Sequence, residues 1–251
     1  MLKCSGVSKR FGGLLALGGV DLEVDSGRIT GVIGPNGAGK STLLHVIGGL
    51  LRADSGSVVL DGEDLTQLLP YQRARRGLVR TFQISRELGE LTVLENLMLA
   101  RPDQSGESIV GAFFRYFAVR HEEEETAARA RQLLEQVGLW RLADAPARSL
   151  SGGQKKLLEL SRALMLDPKI ILLDEPAAGV SPPMRAQISR VIKSLRDSGL
   201  AFVVVEHDMD LVADLCDRVY VMAEGKNLAA GTFREVVSDV RVVRAYLGDA
   251  A

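Results

Sequence analysis

A strand, a glycine-rich loop and a helix follow one another directly near the start of the chain. The apolar run Ile29–Ile33 predicts a buried strand, and residues 41–51 predict a helix. The loop between them reads Gly34-Pro35-Asn36-Gly37-Ala38-Gly39-Lys40-Ser41-Thr42. A glycine loop that opens a helix points backbone N–H groups and the helix dipole at one place. This segment therefore predicts an anion site at a helix N-terminus.

The spacing of the loop narrows the anion to a phosphate. Residues 34–41 fit the pattern G-x-x-x-x-G-K-[ST] in the required strand–loop–helix context. Gly37 and Gly39 allow backbone conformations that admit a phosphate without a Cβ clash. Lys40 carries positive charge to the β- and γ-phosphates, and the Ser41 hydroxyl is a ligand for Mg²⁺. The dinucleotide pattern G-x-G-x-x-G is not met, because a threonine stands where that pattern needs glycine or alanine.

Composition limits the class of protein and its partners. The chain has 251 residues, of which 46% are hydrophobic and 25% charged, as is ordinary for a globular protein with a large core. A net charge of −1 gives no field that favours nucleic acid, so no nucleic-acid partner is expected. No apolar run reaches the roughly 18 residues of a membrane helix, and no signal peptide is evident. With Cys4 and Cys216 far apart, we expect free thiols and a cytoplasmic location.

A second glycine-rich helix start lies far along the chain. Leu150-Ser151-Gly152-Gly153-Gln154 precedes a helical pattern over residues 155–165. Its first N–H groups and its dipole predict another anion site. Two such sites in one chain indicate a nucleotide held from two sides.

Two acids end a predicted strand. Ile170-Ile171-Leu172-Leu173-Asp174-Glu175 is apolar up to its last two residues. Parallel strands deliver their C-terminal residues to the edge of the sheet where ligands bind. Asp174 is predicted to hold Mg²⁺ through water, and Glu175 to polarise an attacking water.

Two further polar side chains follow predicted strands. Gln83 comes after residues 79–82, and an amide oxygen can coordinate Mg²⁺ and sense a bound nucleotide. Taken alone, Gln83 reads more simply as a surface residue. His207 ends the predicted strand over residues 202–206, where it can hydrogen-bond a γ-phosphate and hold a water molecule.

The order of the predicted elements indicates an α/β fold. Strands are predicted over residues 20–24, 29–33, 57–60, 169–173, 201–205 and 218–223. A helix over residues 183–198 gives a βαβ crossover and hence a parallel sheet. From about residue 91 to 165 the pattern is nearly all helical, which predicts a helical insertion at about residues 85–165. Within it a helix begins near Glu122, and Gly138 is predicted to end or interrupt that helix. The aromatic segment at residues 106–116 matches no motif.

In this order, the motifs resemble those of the ATP-binding subunits of ABC (ATP-binding cassette) transporters, over the whole chain. The shared motifs are the phosphate loop, a glutamine loop at Gln83, the signature at residues 150–154, the acidic strand and the switch His207. Longer phrases resemble the branched-chain amino-acid importer ATPases, with the urea importer ATPases as close relatives. These phrases are Arg80-Thr81-Phe82-Gln83, Glu175-Pro176-Ala177-Ala178-Gly179-Val180, Glu206-His207-Asp208-Met209 and Val243-Arg244-Ala245-Tyr246-Leu247-Gly248.

The resemblance implies a fold, a reaction and a set of site residues. The fold is a P-loop NTPase core with a mainly parallel sheet, an N-terminal antiparallel β subdomain and an inserted α-helical subdomain, as one ATPase domain over residues 1–251. The reaction is ATP hydrolysis with Mg²⁺, with Glu175 and His207 as catalytic residues and Ser41, Gln83 and Asp174 at the metal. The implied nucleotide contacts are Phe11 (stacked on adenine), Gly34, Pro35, Asn36, Gly37, Ala38, Gly39, Lys40, Ser41, Thr42, Gln83, Ser151, Gly152, Gly153, Gln154, Asp174 and His207.

The resemblance also implies partners. Two cassettes would pack head to tail, with each ATP between the phosphate loop of one and the Ser151–Gln154 helix start of the other. Transmembrane permease subunits would dock near Gln83 at the inner face of the cell membrane, and a separate solute-binding protein would deliver the solute. Ser181 stands where the family usually has Asp or Asn, so its hydrogen bond across the dimer would be weaker.

Other functions stay open at this point. Import of branched-chain or other hydrophobic amino acids fits the phrases best. A urea importer also stays open, because the urea importer ATPases are close relatives. An exporter of lipid or lipopolysaccharide stays open because related cassettes share the phrase at residues 206–209. A non-transport ABC ATPase acting on DNA or ribosomes is less favoured. Such chains usually carry tandem cassettes or a long coiled coil, and the sequence has neither.

Overall fold

The structure of this protein is a computed structural model that describes residues 1–81, 87–102 and 116–247. It divides into two compact units. The first comprises Met1–Gln83, Lys169–Ala178 and Ile192–Ala251, and the second comprises Ile84–Pro168 and Gly179–Val191. Gln83 and residues 106–115, both singled out in the sequence, lie outside the described residues.

The elements run in chain order as follows. The strands are β1 (Leu2–Phe11), β2 (Leu14–Val24), β3 (Ile29–Ile33), β4 (Ser55–Leu60), β5 (Glu63–Asp64), β6 (Leu78–Arg80), β7 (Ile170–Asp174), β8 (Ala201–Val205), β9 (Arg218–Ala223) and β10 (Lys226–Gly231). The helices are α1 (Lys40–Ile47), α2 (Pro70–Ala74), α3 (Val93–Met98), α4 (Tyr116–Val137), α5 (Gly152–Leu164), α6 (Pro182–Asp197), α7 (Met209–Leu215), α8 (Phe233–Val237) and α9 (Val240–Leu247).

An antiparallel sheet forms the N-terminal part of the first unit. Its strands lie in the order β2-β1-β4-β5. β1 and β2 make a hairpin in which Phe11 pairs with Leu14. Buried and exposed residues alternate along much of both strands, so one face of the sheet is available to pack on the core.

A second sheet of the first unit has the strand order β10-β9-β3-β8-β7-β6. Every neighbouring pair in it is parallel except β9 with β10, which is antiparallel. The strands β3, β7 and β8 are buried along their whole length, as expected for a parallel sheet covered on both faces. Because these three strands are parallel, the residues that follow them meet at one edge of the sheet.

Apolar clusters cover the two faces of this parallel sheet. On one face, Val32 and Val203 belong to a cluster with Leu44 of α1 and Val20 of β2. This cluster joins the parallel sheet, the first helix and the antiparallel sheet into one core. Burial of apolar side chains of this kind contributes about 1.5–3 kcal/mol each.

The other face is covered by helices from the C-terminal part of the chain. Ile33 lies in a cluster with Val212 of α7, Val236 of α8 and Val242 of α9. The last residue of β3 is thus fixed by the C-terminal helices.

The second unit is built around α3, α4 and α5. Capping boxes begin two of these helices: Thr92 with Glu95 at α3, and Ser151 with Gln154 at α5. Buried leucines and valines from all three helices form its apolar interior, including Leu97, Leu133, Leu134, Val137, Leu157 and Leu158.

The predicted fold class is confirmed: a mainly parallel α/β sheet, an N-terminal antiparallel sheet and a helical part. Three strands have the predicted bounds, and the predicted end of the first helix is wrong. The first helix stops at Ile47 and not near residue 51, because Gly49 takes φ +79°. The predicted helix end at Gly138 is confirmed: α4 stops at Val137, and Gly138 has φ +78°. The chain then forms only short 3-10 turns at Trp140–Leu142 and Ala147–Ser149 before α5.

Candidate functional site

The phosphate loop connects the end of β3 to the start of α1, and neighbouring backbone requires glycine at both of its ends. Gly34 has φ +150°, and a Cβ there would lie 2.1 Å from the carbonyl oxygen of Met222. Gly39 has φ +99°, and a Cβ there would lie 2.6 Å from the carbonyl oxygen of Ala16. Gly37 has open space around it, so its φ of +80° is what favours glycine. The two ends of the loop therefore pack closely against β9 and β2, whereas there is free space around Gly37 in its middle.

Lys40, the first residue of α1, folds back over this loop. Its Nζ donates hydrogen bonds to the carbonyl oxygens of Gly34 at 2.7 Å and Pro35 at 2.9 Å. Partial burial lowers the pKa of the Lys40 ammonium, and the charges of Glu175 and Asp174 act in the opposite direction. The ammonium is thus partly desolvated and lies in the field of both acids. Ser41 and Thr42 follow it in the first turn of α1.

Asp174 ends β7, level with Val205 of β8 in the strand register. Its carboxylate is buried and accepts a hydrogen bond from Nη2 of Arg80, the last residue of β6, at 3.1 Å. Burial lowers the pKa of the Arg80 guanidinium, and the Asp174 charge opposes that change. Nε and Nη1 of Arg80 are buried and have no hydrogen-bond partner within the described part of the chain. Asp174 is therefore held in place at the sheet edge by a buried cation.

His45 of α1 lies close enough to this pair to feel both charges. Burial lowers the pKa of its imidazole, the positive charge of Arg80 lowers it further, and Asp174 opposes them. His45 is therefore neutral at neutral pH. It adds no charge to the site.

Glu175 follows β7 in an uncommon backbone conformation. Its φ is +49°, and its N–H donates to the carbonyl oxygen of Val205 at 2.9 Å. Non-glycine residues in this region cost of order 1–3 kcal/mol and cluster at functional sites. Oε1 of Glu175 lies 3.4 Å from Nδ1 of His207, which follows β8. The two side chains predicted to act on water therefore lie together.

Glu206 forms hydrogen bonds that stabilise the backbone next to His207. Its carboxylate is buried and accepts the backbone N–H of Ala177 at 3.2 Å and that of His207 at 3.3 Å. Burial raises the pKa of Glu206, while these N–H bonds and the nearby imidazole act in the opposite direction. Glu206 thus ties the segment after β7 to the segment after β8.

Phe11 lies at the tip of the β1–β2 hairpin, and 45% of its surface is exposed. The Lys9 ammonium is 5.8 Å from its ring centroid. The same hairpin reaches the phosphate loop through the contact of Ala16 with Gly39. An exposed aromatic ring on this hairpin is suited to stack on a base.

The signature residues lie in the second unit, at the start of α5. Ser151 caps the helix: its Oγ accepts the N–H of Gln154 at 3.4 Å, and its N–H donates to Oε1 of Gln154 at 2.9 Å. Gly152 has nothing within 4 Å of a Cβ built on it, whereas a Cβ on Gly153 would lie 2.1 Å from Cγ of Met184. The helix start is thus open on the Gly152 side, and helix N-termini attract anions.

Arg80 is the residue of this site that sequence reasoning missed. The local sequence gives Arg80 no role, because a charged residue at the end of a short strand is expected to be exposed to solvent. The signal was present in the topology: β6 and β7 are parallel neighbours, so their ends, Arg80 and Asp174, meet at one edge. Opposite charges at the ends of adjacent parallel strands predict such a pair.

No helix in the described ranges is both long and apolar enough to span a bilayer.

Comparisons with known proteins agree on the family. A family model described as ABC transporter matches residues 17–178. A curated relative, a probable branched-chain amino acid transport ATP-binding protein of Archaeoglobus fulgidus, is 42% identical over 252 residues, which cover 99% of this chain and 95% of the relative.

Solved structures agree as well. The chain is similar to a nucleotide-free ATP-binding cassette from an ABC transporter, with a TM-score of 0.87, 41% identity and 99% of each chain covered. It is also similar to a dimeric ATP-binding cassette in a post-hydrolysis state bound to ADP and Pi. That match has a TM-score of 0.75 and 29% identity, and it covers 93% of this chain and 99% of the other.

Proposed function

Because this chain belongs to the ABC transporter family and is an ATP-binding, ATP-hydrolysing subunit, we propose that it drives the import of branched-chain or other hydrophobic amino acids. The solute class rests on the name of the relative from Archaeoglobus fulgidus. The observation that carries the ATPase function is the placement of Lys40 on the phosphate loop within the electrostatic field of Asp174 and Glu175, which lie at the end of β7 in the parallel sheet. A cation for phosphates and two acids at one place are the components that phosphoryl transfer needs.

The phosphate loop is proposed to bind the ATP phosphates. Its N–H groups at the start of α1 would donate to the phosphates, and Lys40 would exchange its two carbonyl acceptors for phosphate oxygens. The exchange is favourable because the ammonium gains the attraction of a negatively charged phosphate oxygen in place of a neutral carbonyl. Phe11 would stack on the adenine.

The donor set fits Mg²⁺. The described residues hold no group of three His, Cys, Asp or Glu side chains that could form a protein-only metal site. Mg²⁺ suits this arrangement, since it keeps several waters and binds substrate phosphates with one or two protein oxygens. Ser41 and Asp174 would supply those oxygens, together with Gln83, which lies beyond the described ranges. When bound, the ion would neutralise charge on the phosphates.

Glu175 and His207 are proposed to act on the attacking water. The water oxygen forms a bond to the γ-phosphorus while the bond to the bridging oxygen breaks, and ADP leaves with the electron pair. Glu175 would accept a hydrogen bond from this water, and ultimately its proton. His207, at 3.4 Å from Glu175, would fix the direction of that carboxylate and contact the γ-phosphate.

A second cassette is the proposed first partner. A dimeric structural neighbour supports it, and so does the open N-terminus of α5 at Ser151 and Gly152, which would face the γ-phosphate held by the other copy. Permease subunits and a separate solute-binding protein would complete the transporter at the inner face of the membrane. Residues 1–251 are proposed to act as one ATPase domain, with the helical part inserted at about 85–165.

The test of the site compares Lys40→Ala with Lys3→Ala, a control at an exposed lysine paired with Glu23. Because hydrogen bonds to charged groups contribute about 1.5–3 kcal/mol, Lys40→Ala should weaken ATP binding by at least about tenfold and abolish turnover. Isothermal calorimetry and phosphate release measure the two effects. Equal ATP affinity in Lys40→Ala and wild type would contradict the assignment.

The solute needs a separate experiment. The chain is reconstituted in vesicles with its permeases and solute-binding protein, and ATP-dependent uptake of radiolabelled leucine and of urea is compared. Leucine uptake supports the proposal. Uptake of urea alone, or outward movement of lipid, overturns the solute class and leaves the ATPase assignment intact.

A further inference from the structure

Two segments of the second unit lie side by side before the signature helix α5. The first, residues 87–93, follows Gln83 in the sequence, and the second, residues 145–150, leads directly into Ser151. Three backbone hydrogen bonds join them, from an N–H to a carbonyl oxygen in each case: Val93 to Ala145 at 3.0 Å, Ala147 to Leu91 at 2.9 Å and Arg148 to Gly89 at 3.1 Å. The chain that enters α5 is therefore tied to residues 87–93.

The buried side chain of Asn96 fixes the first of these segments. Asn96 lies in α3 and has no exposed surface. Its Oδ1 accepts the N–H of Leu88 at 2.9 Å, and its Nδ2 donates to the carbonyl oxygens of Leu88 at 3.0 Å and Thr92 at 2.9 Å. Leu88 is thus held at both of its backbone polar groups, so the side chain of its neighbour Glu87 starts from a fixed point.

An ion pair connects Glu87 to α5 itself. Oε1 of Glu87 is 2.6 Å from Nζ of Lys155, and the two side chains are only 14% and 27% exposed. Lys155 directly follows Gln154, the last residue of the signature. Short hydrogen bonds between charged groups are among the strong ones in proteins, and partial burial limits their screening by salt. The pair therefore holds α5 one residue after the signature.

The pair also balances a charge that is unfavourable at this place. A cation near a helix N-terminus is opposed by the helix dipole, and α5 carries no acid in its own first turn. Glu87 supplies the negative charge from a different segment. The ion pair is thus the contact that keeps the Lys155 ammonium in place against the dipole.

We propose that Glu87 and Lys155 are positioning residues for the signature. Their ion pair holds the N-terminus of α5 in the direction in which Ser151 and Gly152 meet the nucleotide bound by the other cassette. Neither charged side chain contacts that nucleotide. This inference rests on the proposed contact between α5 and the other cassette. Its physical basis is preorganisation, because a helix start that is fixed before association loses less freedom when the two cassettes close.

The experiment is a double-mutant cycle on this ion pair. Glu87→Met and Lys155→Met remove one charge each and keep side chains of similar length, and a third variant carries both changes. All three are made in the Glu175→Gln background, in which bound ATP should persist. Analytical ultracentrifugation with saturating ATP measures the protein concentration at half-maximal dimerisation. Calorimetry on dilute, monomeric protein measures ATP affinity, and circular dichroism measures the melting temperature.

Two control variants separate this ion pair from a general change of charge. Glu90→Met breaks the pair of Glu90 with Arg148, which joins the same two segments but has side chains that are 82% and 62% exposed. Because exposed pairs contribute little, Glu90→Met should dimerise like the Glu175→Gln parent. Lys155→Arg keeps the positive charge and should also dimerise like the parent.

Glu87→Met and Lys155→Met should each raise the concentration at half-maximal dimerisation by about tenfold or more, as expected from the loss of a hydrogen bond between charged groups in each of the two copies. The double variant should lose no more than either single variant, because the contact is already absent. The ATP affinity of the monomer should be unchanged in all three, since the phosphate loop lies in the first unit.

Three results would overturn the inference: dimerisation of both single methionine variants at the parent concentration, losses that add up in the double variant, or a loss in Lys155→Arg as large as in Lys155→Met. A lower melting temperature with unchanged dimerisation would show that the pair only stabilises the second unit. Failure of the Glu175→Gln parent to dimerise with ATP is a different outcome. It would refute the proposed contact between α5 and the other cassette.

Discussion

The carboxylate of Asp174 is bound by the guanidinium of Arg80, with 3.1 Å between Oδ2 and Nη2 and with both side chains no more than 10% exposed. Arg80 and Asp174 end the neighbouring parallel strands β6 and β7. The pair brings the chain segment that leads into Gln83 next to the acid proposed to serve the metal. An acid that must stay ionised at a buried sheet edge needs such a partner, because an unpaired buried charge is costly.

Replacement of Arg80 should therefore affect both stability and metal use. Arg80→Met should lower the free energy of unfolding by about 3–5 kcal/mol, because it leaves a buried carboxylate without its cation. It should also raise the Mg²⁺ concentration needed for half-maximal ATPase activity, since the carboxylate loses its fixed direction. Urea denaturation and a Mg²⁺ titration of activity measure these effects.

The control for Arg80→Met is Arg76→Met. Arg76 pairs with Glu63 at the surface, where both side chains are more than one-third exposed. Exposed pairs contribute about 0–1 kcal/mol, so this variant should stay close to wild type in both assays. Similar losses in the two variants would show that the Arg80 pair has no special role.

Glu175 and Asp174 are proposed to have different roles, and matched amide substitutions should separate them. Glu175→Gln keeps size and removes the charge near the proposed water, so single-turnover hydrolysis should slow by about 10²–10⁴-fold while ATP binding survives. Asp174→Asn should instead weaken the Mg²⁺ dependence of ATP binding. Single-turnover hydrolysis and ATP affinity, measured in parallel, distinguish the two. A Glu175→Gln protein that turns over at the wild-type rate would remove Glu175 from the catalytic step.

The two glycines that begin α5 should respond differently to substitution. A Cβ at Gly152 meets open space, whereas one at Gly153 meets Met184 at 2.1 Å. Gly152→Ala should therefore fold like wild type, and Gly153→Ala should lower the melting temperature. Gly152→Asp should fold and bind ATP but fail to dimerise, because its carboxylate would face the γ-phosphate held by the partner.

Size-exclusion chromatography with ATP, in the Glu175→Gln background, measures this dimerisation. Gly152→Ala is the control, since it adds a side chain without a charge. ATP-dependent dimers of Gly152→Asp at wild-type yield would contradict the proposed contact between α5 and the other cassette.

Local patterns explain which parts of the fold and site could be predicted. The phosphate loop and the strand over residues 29–33 were predictable because glycine spacing and apolar runs act within a few residues. Asp174, Glu175 and His207 were predictable as a group because parallel strands carry their last residues to one edge. Helix ends were less predictable: positive φ at Gly49 ends the first helix before residue 51.

Contacts between distant residues were not predictable from local patterns. The Arg80–Asp174 pair depends on which strands are neighbours, and the cluster of Val242 with Ile33 depends on how the C-terminal helix packs on β3. Neither leaves a periodic signal in the sequence. The tail at residues 243–248 carries only a family resemblance in the sequence, and a resemblance does not say what a side chain contacts.

The buried Glu206 should make stability depend on pH with a specific sign. Burial raises its pKa above the usual value of about 4.3, so in the pH window between the two values the folded state binds more protons than the unfolded state. The free energy of unfolding should therefore fall as pH rises through that window. Glu206→Gln does not titrate, and its amide oxygen can still accept the Ala177 N–H. Relative to this variant, wild type should lose stability as the pH rises from about 4.3 to the raised pKa of Glu206.

A second glutamate provides a control of opposite sign. Hydrogen bonds from the backbone and side chain of Thr232 lower the pKa of Glu235, so its contribution is present above the usual glutamate pKa and is lost as pH falls. Relative to Glu235→Gln, wild type should therefore gain stability as pH rises from the lowered pKa to the usual value of about 4.3, a window that lies below that of Glu206. Urea denaturation of wild type and both variants at a series of pH values measures the two differences. The prediction is contradicted if the free energy of unfolding of wild type, relative to Glu206→Gln, increases with pH. The hydrogen bonds from the N–H groups of Ala177 and His207 would then stabilise the ionised carboxylate more than burial destabilises it.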